Sequence, residues 1–215
     1  MTDFILVRHG ETIWHAENRY AGRTDVALTD RGHAQAADLA HWAGTEAIDA
    51  VVSSPLSRAR LTAEPAARAL GLRPRIEERL LEVDFGRGDG LTRAEMSKTF
   101  PEQLTAFLDD PVANHLPGGE DPATAATRGA AALTDLAREL PDGRILVVAH
   151  STLIRLVLCR LLAIPLDSYR RVFPELHNGA RTELRLRADR TDRSGRAAAL
   201  LTLNAPCTPP VLTPR

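Results

Sequence analysis

Short apolar runs alternate with longer helical patterns along this chain, and this alternation narrows the folds that it can adopt. The apolar runs are too short to cross a membrane, and they predict strands or extended segments over residues 4–7, 48–52, 75–80, 144–149, 181–187 and 197–203. The patterns between them predict helices over residues 33–42, 56–70, 92–99, 102–108, 121–140 and 152–162. Strands that alternate with helices favour an α/β fold, a three-layer α/β/α sandwich with a mostly parallel sheet.

Residues at the predicted helix ends agree with this division. Thr29 or Asp30 is expected to cap the first helix, and Pro55 is expected in the first turn of the second. Gly71 stands where the second helix should end. The polar stretch 11–29 is left as a long loop, and long loops inside compact domains are often functional.

The segment of about residues 84–120 departs from the alternation. Its short helical patterns are broken by Pro101, Pro111 and Pro117, and we expect it to form a small inserted helical cap. A chain of 215 residues is long enough for one such domain with a sizeable core, which we expect over residues 1–204. Residues 205–215 are rich in Pro and Thr and predict a tail.

Composition excludes several classes of protein. Apolar residues make up 44% of the chain and charged residues 26%, which is typical of a globular protein. Because no stretch of about 18 apolar residues occurs, we expect a cytoplasmic protein without a membrane partner. The formal net charge of -1 gives no long-range attraction to nucleic acid. With only Cys159 and Cys207, we expect neither a disulfide framework nor a cysteine-based zinc site.

Charged and imidazole side chains follow the predicted parallel strands. Arg8 and His9 come directly after the first strand, and Arg58 lies in the helix after the second. Glu82 follows the third strand and His150 follows the fourth. Each of these residues alone has an ordinary structural interpretation, as a surface ion pair or a capping group. Together, two guanidinium groups and two imidazoles near helix N-termini predict a dianion site, and a neighbouring carboxyl group would serve as a proton donor.

Six motifs follow one another between residues 4 and about 185. They are RHGET at 8–12, GRTDVALTDRG at 22–32, SSPLSRA at 53–59, LEVDFG at 81–86, PGGE at 117–120 and VVAH at 147–150. In this order they resemble the histidine phosphatase superfamily, in the branch that includes cofactor-dependent phosphoglycerate mutases and many small-molecule phosphatases. One motif would be weak evidence, whereas six in the family order are specific.

This resemblance implies a ping-pong phosphoryl transfer. His9 would attack phosphorus and become phosphohistidine, while Arg8, Arg58 and His150 would hold the phosphate oxygens. Glu82 would protonate the leaving alcohol and later deprotonate the attacking water. A nucleophilic His must be neutral and a phosphate-binding His is most useful as a cation, so the pKa values of His9 and His150 should differ. The implied site contains no metal and no other cofactor, because cationic side chains neutralise the phosphate.

Four further residues are candidates for substrate binding. Relatives often have Asn where this chain has His15, so either His15 would contact phosphate through a ring N–H or Asn18 would do so instead. Ser151 replaces a common Gly, and its hydroxyl would contact phosphate or cap the following helix. Gly22 would let backbone N–H groups approach the substrate, or would serve only as a turn residue. Asp84 is a second candidate for the catalytic acid.

The segment after Glu82 favours hydrolysis over phosphate migration. Related mutases carry a basic, aromatic stretch there, whereas this chain has Arg87-Gly88-Asp89-Gly90-Leu91-Thr92. The implied function is that of a metal-independent phosphatase whose partner is a small phosphorylated metabolite, such as a sugar phosphate, a phosphoglycerate derivative or a nucleotide. The alternatives are a phosphoglycerate-type phosphomutase and a non-catalytic phosphate-binding module.

The cap and the tail carry two further expectations. The cap is expected to cover the substrate with a mixed surface made of Phe85, Arg87, Met96, Phe100, Phe107 and Leu116. A late strand that pairs across a two-fold axis would give a homodimer. The prolines of the tail argue equally for a frayed end.

Overall fold

Six strands form one sheet in the computed structural model, which describes residues 1–187 and 198–208. They are β1 (Thr2–Arg8), β2 (Ala50–Ser53), β3 (Arg75–Ile76), β4 (Arg144–Ala149), β5 (Arg181–Leu186) and β6 (Ala198–Ala205). Their order across the sheet is β3-β2-β4-β1-β5-β6. β1 pairs with β4 in parallel from Asp3 with Arg144 to Arg8 with Ala149, and β2 is parallel to both β4 and β3. The carboxyl ends of these four strands therefore lie at one edge of the sheet.

Helices cover both faces of this sheet. The described residues form α1 (Asp30–Ala43), α2 (Ser57–Ala69), α3 (Arg93–Thr99), α4 (Pro101–Asp109), α5 (Pro122–Glu139), α6 (Ser151–Leu161) and α7 (Tyr169–Val172). Side chains of α1 and α2 pack with Ile5 and Val7 of β1 on one face. Side chains of α5 and α6 pack with Phe4 and Leu6 on the other face. The expected three-layer α/β/α sandwich is confirmed, with β5 antiparallel to both β1 and β6.

Local hydrogen bonds explain where several elements begin. The Thr29 hydroxyl accepts a bond from the N–H of Gly32 (3.0 Å) and caps α1, so Thr29 is the correct one of the two expected caps. The expectation for Pro55 was wrong, because α2 begins at Ser57 with Leu56 as its N-cap. The extended segment expected over residues 75–80 has only two strand residues. Its remainder turns because the Glu77 carboxylate accepts a bond from the N–H of Arg79 (3.1 Å) and caps the 3-10 turn that follows.

The segment expected to be the cap has a small apolar core of its own. Met96 of α3, Phe100 between the two helices, and Leu104 and Phe107 of α4 pack with Leu116, and all five side chains are buried. The expectation that Met96, Phe100, Phe107 and Leu116 face the substrate was therefore wrong. The apolar side chains of these two short helices remove their surface from water by packing on one another. Of the six side chains expected to cover the substrate, only Phe85 lines the main pocket described below.

The first residues of the predicted tail, 205–208, are packed against the fold, which the sequence did not predict. β6 continues to Ala205, and the buried Cys207 thiol lies 3.3 Å from the carbonyl oxygen of Gly179. Burial raises the pKa of Cys207 to about 11. The rest of the predicted tail, residues 209–215, and residue 197 of the last predicted strand lie outside the described residues. The homodimer stays a prediction.

No helix among residues 1–187 and 198–208 is both long enough and apolar enough to span a bilayer.

Candidate active site

The carboxyl edge of the parallel strands brings most of the predicted site residues together. β1 ends at Arg8, directly before His9, and β4 ends directly before His150. The ring centroids of His9 and His150 are 5.2 Å apart. Beside them opens a pocket of about 720 Å³, whose lining residues include Arg8, His9, His15, Asn18, Glu82 and Ser151. Arg58 and His150 do not line this pocket and are fully buried.

The surroundings of His9 determine which ring nitrogen is available for chemistry. Its Nδ1 lies 2.7 Å from the carbonyl oxygen of Gly10, which can only accept, so Nδ1 carries the proton. Nε2 therefore keeps its lone pair. Burial, followed by the positive charges of Arg58 and Arg8, holds the pKa of His9 well below its ordinary value. The side chain is thus neutral at physiological pH, as a nucleophile must be.

His150 differs from what the sequence predicted. Burial, followed by the charges of Arg58 and His9, also lowers its pKa well below the ordinary value, so both pKa values shift in the same direction. The reason is that both rings are buried beside the same guanidinium groups. Nε2 of His150 lies 2.7 Å from the Ser54 hydroxyl, and Nδ1 is buried without a partner among the described residues. With its proton on Nδ1, a neutral His150 accepts from Ser54 and still offers one N–H to an anion.

Each of the two predicted arginines is fixed by carbonyl oxygens and keeps one buried N–H without a partner within residues 1–187 and 198–208. Nη1 of Arg8 donates to the carbonyl oxygen of Leu176 (2.7 Å), and its Nε has no partner among the described residues. Arg58 donates through both Nη atoms to carbonyl groups of the loop 21–24, and its Nε has no partner in the part of the chain that the structure describes. Burial lowers the pKa of Arg8 to about 10. Buried donors are nearly always satisfied in proteins, so this set fits an anion such as phosphate.

Glu82 has a second role that the sequence analysis missed. Its Oε1 accepts bonds from the N–H groups of Val83 and Leu153 (both 2.9 Å), and its Oε2 accepts from the N–H of Thr152 (3.0 Å). The carboxylate thus caps the first turn of α6 while it lines the pocket. Asp84 does not line this pocket, and its carboxylate accepts instead from the N–H of Gly86 (2.7 Å).

Ser151 does not cap α6. The helix begins at Ser151 itself, His150 stands in the N-cap position without a side-chain bond, and Glu82 supplies the cap from a distant loop. Ser151 lines the pocket, which leaves the expected phosphate contact as its remaining interpretation. A helix is usually capped by a neighbour along the chain, whereas this cap comes from 70 residues away.

His15 orients Arg8 in this structure. Its Nε2 lies 2.7 Å from Nη2 of Arg8, which can only donate, so Nε2 acts as an acceptor. Asn178 also approaches this nitrogen (3.2 Å), and its Nδ2 donates to the carbonyl oxygen of His9 (2.8 Å). The expectation that His15 offers a ring N–H to phosphate at this nitrogen was wrong, because Arg8 already takes its lone pair. Asn178, which nothing in the sequence singled out, connects His15 with His9.

The other two candidates for substrate binding differ in position. Asn18 is exposed at the rim of the pocket. Gly22 does not line the pocket, and its N–H donates to the Asp89 carboxylate (2.9 Å). A Cβ at Gly22 would lie 3.0 Å from the backbone of Phe85, so close approach of two backbones explains the glycine. The geometry supports its role in the loop and not the expected approach to substrate.

Several pocket residues were not singled out as site residues by the sequence analysis. They include Tyr20, Arg93, Thr152 and Arg155. Within residues 1–187 and 198–208, no group of three or more His, Cys, Asp or Glu side chains is placed to hold a metal ion.

Known proteins resemble this chain over most of its length. Residues 4–195 match the histidine phosphatase superfamily (branch 1). Phosphoserine phosphatase 1 of Hydrogenobacter thermophilus is 33% identical over 169 residues, which are 79% of this chain and 80% of that protein. The protein named "Probable phosphoglycerate mutase GpmB" in Salmonella choleraesuis is 35% identical over 178 residues, 80% of each chain.

A solved structure supports the same relationship. A mycobacterial glucosyl-3-phosphoglycerate phosphatase superposes with a TM-score of 0.83 and 27% identity, covering 94% of this chain and 98% of the other. The family match includes most of β1, the strands β2–β5 and every residue of the pocket. On these grounds, the chain belongs to the histidine phosphatase superfamily (branch 1).

Proposed function

We propose that this chain hydrolyses a small phosphomonoester through a phosphohistidine intermediate on His9. The observation that carries the proposal is the arrangement around His9, whose Nε2 lone pair is available near buried N–H groups that have no partner among the described residues. Those groups are Nε of Arg8, Nε of Arg58 and Nδ1 of His150. They would donate to the phosphoryl oxygens and stabilise the charge that develops there in the transition state.

The two half-reactions balance on His9 and Glu82. In the first, Nε2 of His9 attacks phosphorus, the bond from phosphorus to the ester oxygen breaks, and protonated Glu82 gives its proton to the leaving alkoxide. In the second, water attacks phosphorus and gives a proton to the Glu82 carboxylate. The bond between phosphorus and nitrogen then breaks, which returns the lone pair to His9 and releases phosphate. Glu82 ends as it began, so no other acid or base is consumed.

Two observations support hydrolysis of a metabolite as the activity. One relative, matched over four fifths of its length, is named as a phosphoserine phosphatase. A structural neighbour is a glucosyl-3-phosphoglycerate phosphatase. The main pocket, at about 720 Å³, suits a small phosphorylated molecule. The Salmonella relative carries a mutase name, which makes phosphoglycerate mutase activity the alternative to test.

We also propose that residues 1–204 work as one domain with residues 84–120 as its cap. Phe85 packs against both the main core and the small core of the cap, which supports this single unit. A cytoplasmic location fits the two buried free thiols, Cys159 and Cys207, because reducing compartments keep thiols free. Fractionation of cells that produce the full-length protein would test the location.

The central experiment measures phosphate release from a panel of phosphomonoesters in the presence of a chelator. We expect chelator-resistant release that falls at least about 1,000-fold in His9→Ala, because the nucleophile is lost. His33→Ala is the matched control, since His33 is exposed and lies outside the pocket. Rapid quenching in alkali should trap an acid-labile phosphoenzyme in the wild type and none in His9→Ala.

Three outcomes would contradict parts of this proposal. Release that survives His9→Ala would reject His9 as the nucleophile. Interconversion of 2- and 3-phosphoglycerate without net release of phosphate would identify a mutase. Tight phosphate binding by the wild type without turnover of any ester would identify a non-catalytic phosphate-binding module.

A further inference from the structure

A smaller pocket of about 270 Å³ adjoins the main one, and arginines dominate its charge. It shares Tyr20, Phe85, Arg93, Thr152 and Arg155 with the main pocket and extends toward α7 and Pro174. Arg93 of α3, Arg155 of α6 and Arg170 of α7 line it together, and we call these three residues the arginine annex. In the part of the chain that the structure describes, no Asp or Glu side chain lines this smaller pocket.

Arg170 is held in place by aromatic side chains. Its guanidinium carbon lies 4.7 Å from the ring centroid of Phe107 and 5.5 Å from that of Tyr169. Its Nε lies 3.0 Å from the Tyr169 hydroxyl, which accepts the bond. These contacts fix the plane of the guanidinium and use one of its N–H groups. Both Nη groups are without a hydrogen-bond partner among the described residues and can bind a ligand.

Arg155 and Arg93 are held in a similar way. One Nη group of Arg155 donates to the carbonyl oxygen of Pro174 (3.1 Å), while its Nε is buried without a partner among the described residues. Arg93 approaches the Tyr20 hydroxyl through Nε (3.4 Å). Each arginine therefore contacts the protein through one nitrogen and keeps others available.

Arginines elsewhere in the chain are commonly neutralised by carboxylates. Arg19 pairs with Glu95 (2.8 Å), and Arg128 pairs with Glu120 (2.7 Å). Within residues 1–187 and 198–208, none of the three arginines of the annex forms an ion pair. Burial lowers the pKa of Arg155, and the positive charge of Arg170 acts in the same direction, while Tyr169, Glu82 and Glu175 act in the opposite direction. Three guanidinium groups gathered without a paired carboxylate repel one another, and a bound anion would relieve that repulsion.

The annex lies beside the residues proposed to perform the chemistry. Thr152, whose N–H binds Glu82, precedes Arg155 by three residues on α6 and lines the same two pockets. The charge of Arg155 also contributes to the lowered pKa of Arg8. A ligand whose phosphate contacts His9 can therefore extend past Glu82 into the annex. An anionic group at its far end would meet unpaired arginine donors there.

We propose that the arginine annex is a second anion subsite, which binds a carboxylate or a further phosphate of the substrate while the reacting phosphate lies beside His9. This inference rests on the proposed phosphatase activity, and it names the substrate class as phosphomonoesters that carry a second anionic group. Because Arg presents a planar fork of donors, both carboxylate and phosphate fit.

The test compares substrates that differ only in the second group. One pair is 3-phosphoglycerate and glycerol 1-phosphate, which tests a carboxylate. The other pair is fructose 1,6-bisphosphate and fructose 6-phosphate, which tests a phosphate. We expect the wild type to favour 3-phosphoglycerate over glycerol 1-phosphate, or fructose 1,6-bisphosphate over fructose 6-phosphate, by tenfold or more in kcat/KM. In Arg155→Met and Arg170→Met this ratio should fall toward one, mainly through KM.

Controls separate the subsite from folding and from the proposed activity. Arg160→Met, an exposed substitution on α6 outside both pockets, should keep the wild-type ratio. Arg93→Met alters an exposed cap residue and gives a result even where Arg155→Met folds poorly. A wild-type ratio near one in both pairs would overturn the proposed subsite. So would an equal fall in kcat/KM for both substrates of a pair in Arg155→Met and Arg170→Met. Absence of phosphate release from every ester, p-nitrophenyl phosphate included, would overturn the proposed phosphatase instead.

Discussion

At the residue scale, Glu82 combines a structural task with a proposed catalytic one. Its two oxygens accept three backbone N–H bonds, two of them from the first turn of α6, while the side chain lines the pocket. This position ties the loop after β3 to the helix that follows His150. Any substitution here acts on stability and on chemistry together, so a test must separate the two.

The variant Glu82→Gln makes that separation. Its amide must present one NH₂ group toward a backbone N–H, so we expect a loss of about 1–3 kcal/mol in the free energy of unfolding. For alkyl phosphates, loss of the acid should lower kcat by about 10²- to 10⁴-fold. The burst of p-nitrophenol from p-nitrophenyl phosphate should fall much less, because that leaving group needs no proton.

Urea unfolding and rapid-mixing kinetics measure these effects. Glu78→Gln is the control, since Glu78 is exposed on the neighbouring turn. Equal losses in the bursts with alkyl and p-nitrophenyl esters would argue against Glu82 as the proton donor.

At the scale of elements, two glycines let α1 pack against the loop that carries His9. A Cβ at Gly32, in the first turn of α1, would lie 2.1 Å from the carbonyl oxygen of Glu11. A Cβ at Gly10 would lie 2.5 Å from the carbonyl oxygen of Gly32. Two backbone segments thus touch without side chains between them. This contact supports the loop whose Gly10 carbonyl sets the tautomer of His9.

We expect Gly32→Ala to destabilise the protein by about 1–3 kcal/mol, because neither backbone can move away without repacking. It should also lower kcat, since the loop after His9 must shift. Gly44→Ala is the matched control at the other end of α1, where a Cβ would meet nothing closer than 3.4 Å. Thermal unfolding and phosphate-release assays on both variants check this. Unchanged stability in Gly32→Ala would show that the close contact is not tight in solution.

At the scale of the whole molecule, three histidines connect the site to the pH dependence of folding. The pKa values of His9, His150 and His15 are all lowered, with burial as the largest cause in each. The unfolded chain then binds more protons than the folded one below the ordinary value of 6.5. Their contribution to stability is complete above that pH and is lost as the pH falls toward the folded pKa values.

The free energy of unfolding should therefore decrease between pH 7.5 and pH 5.5. Each group adds a slope of at most about 1.4 kcal/mol per pH unit. Urea titrations across this range should give a shallower slope for His150→Gln than for the wild type. His33→Asn, which alters an exposed side chain, should keep the wild-type slope. An identical slope in His150→Gln would mean that this histidine does not carry the effect.

Much of this organisation follows from local patterns that the sequence displays. The apolar runs placed β1 and β4 correctly, and the end of each parallel strand marked where Arg8, His9 and His150 would appear. The pattern could not predict that α7 forms, or that β3 stops at Ile76, because both depend on contacts with neighbouring segments. It also misplaced the apolar side chains of the cap, which pack on each other and not over the substrate.

Local patterns are enough to predict the α/β class, the shared edge of the parallel strands and the residue types that gather there, since periodicity and strand ends are local properties. The role of each side chain depends on tertiary contacts. Glu82 caps α6 across 70 residues, and Asn178 binds the carbonyl oxygen of His9 across 169. The arginine annex likewise joins α3, α6 and α7. Such contacts depend on packing between distant segments. No spacing along the chain specifies which ring nitrogen of His9 remains free.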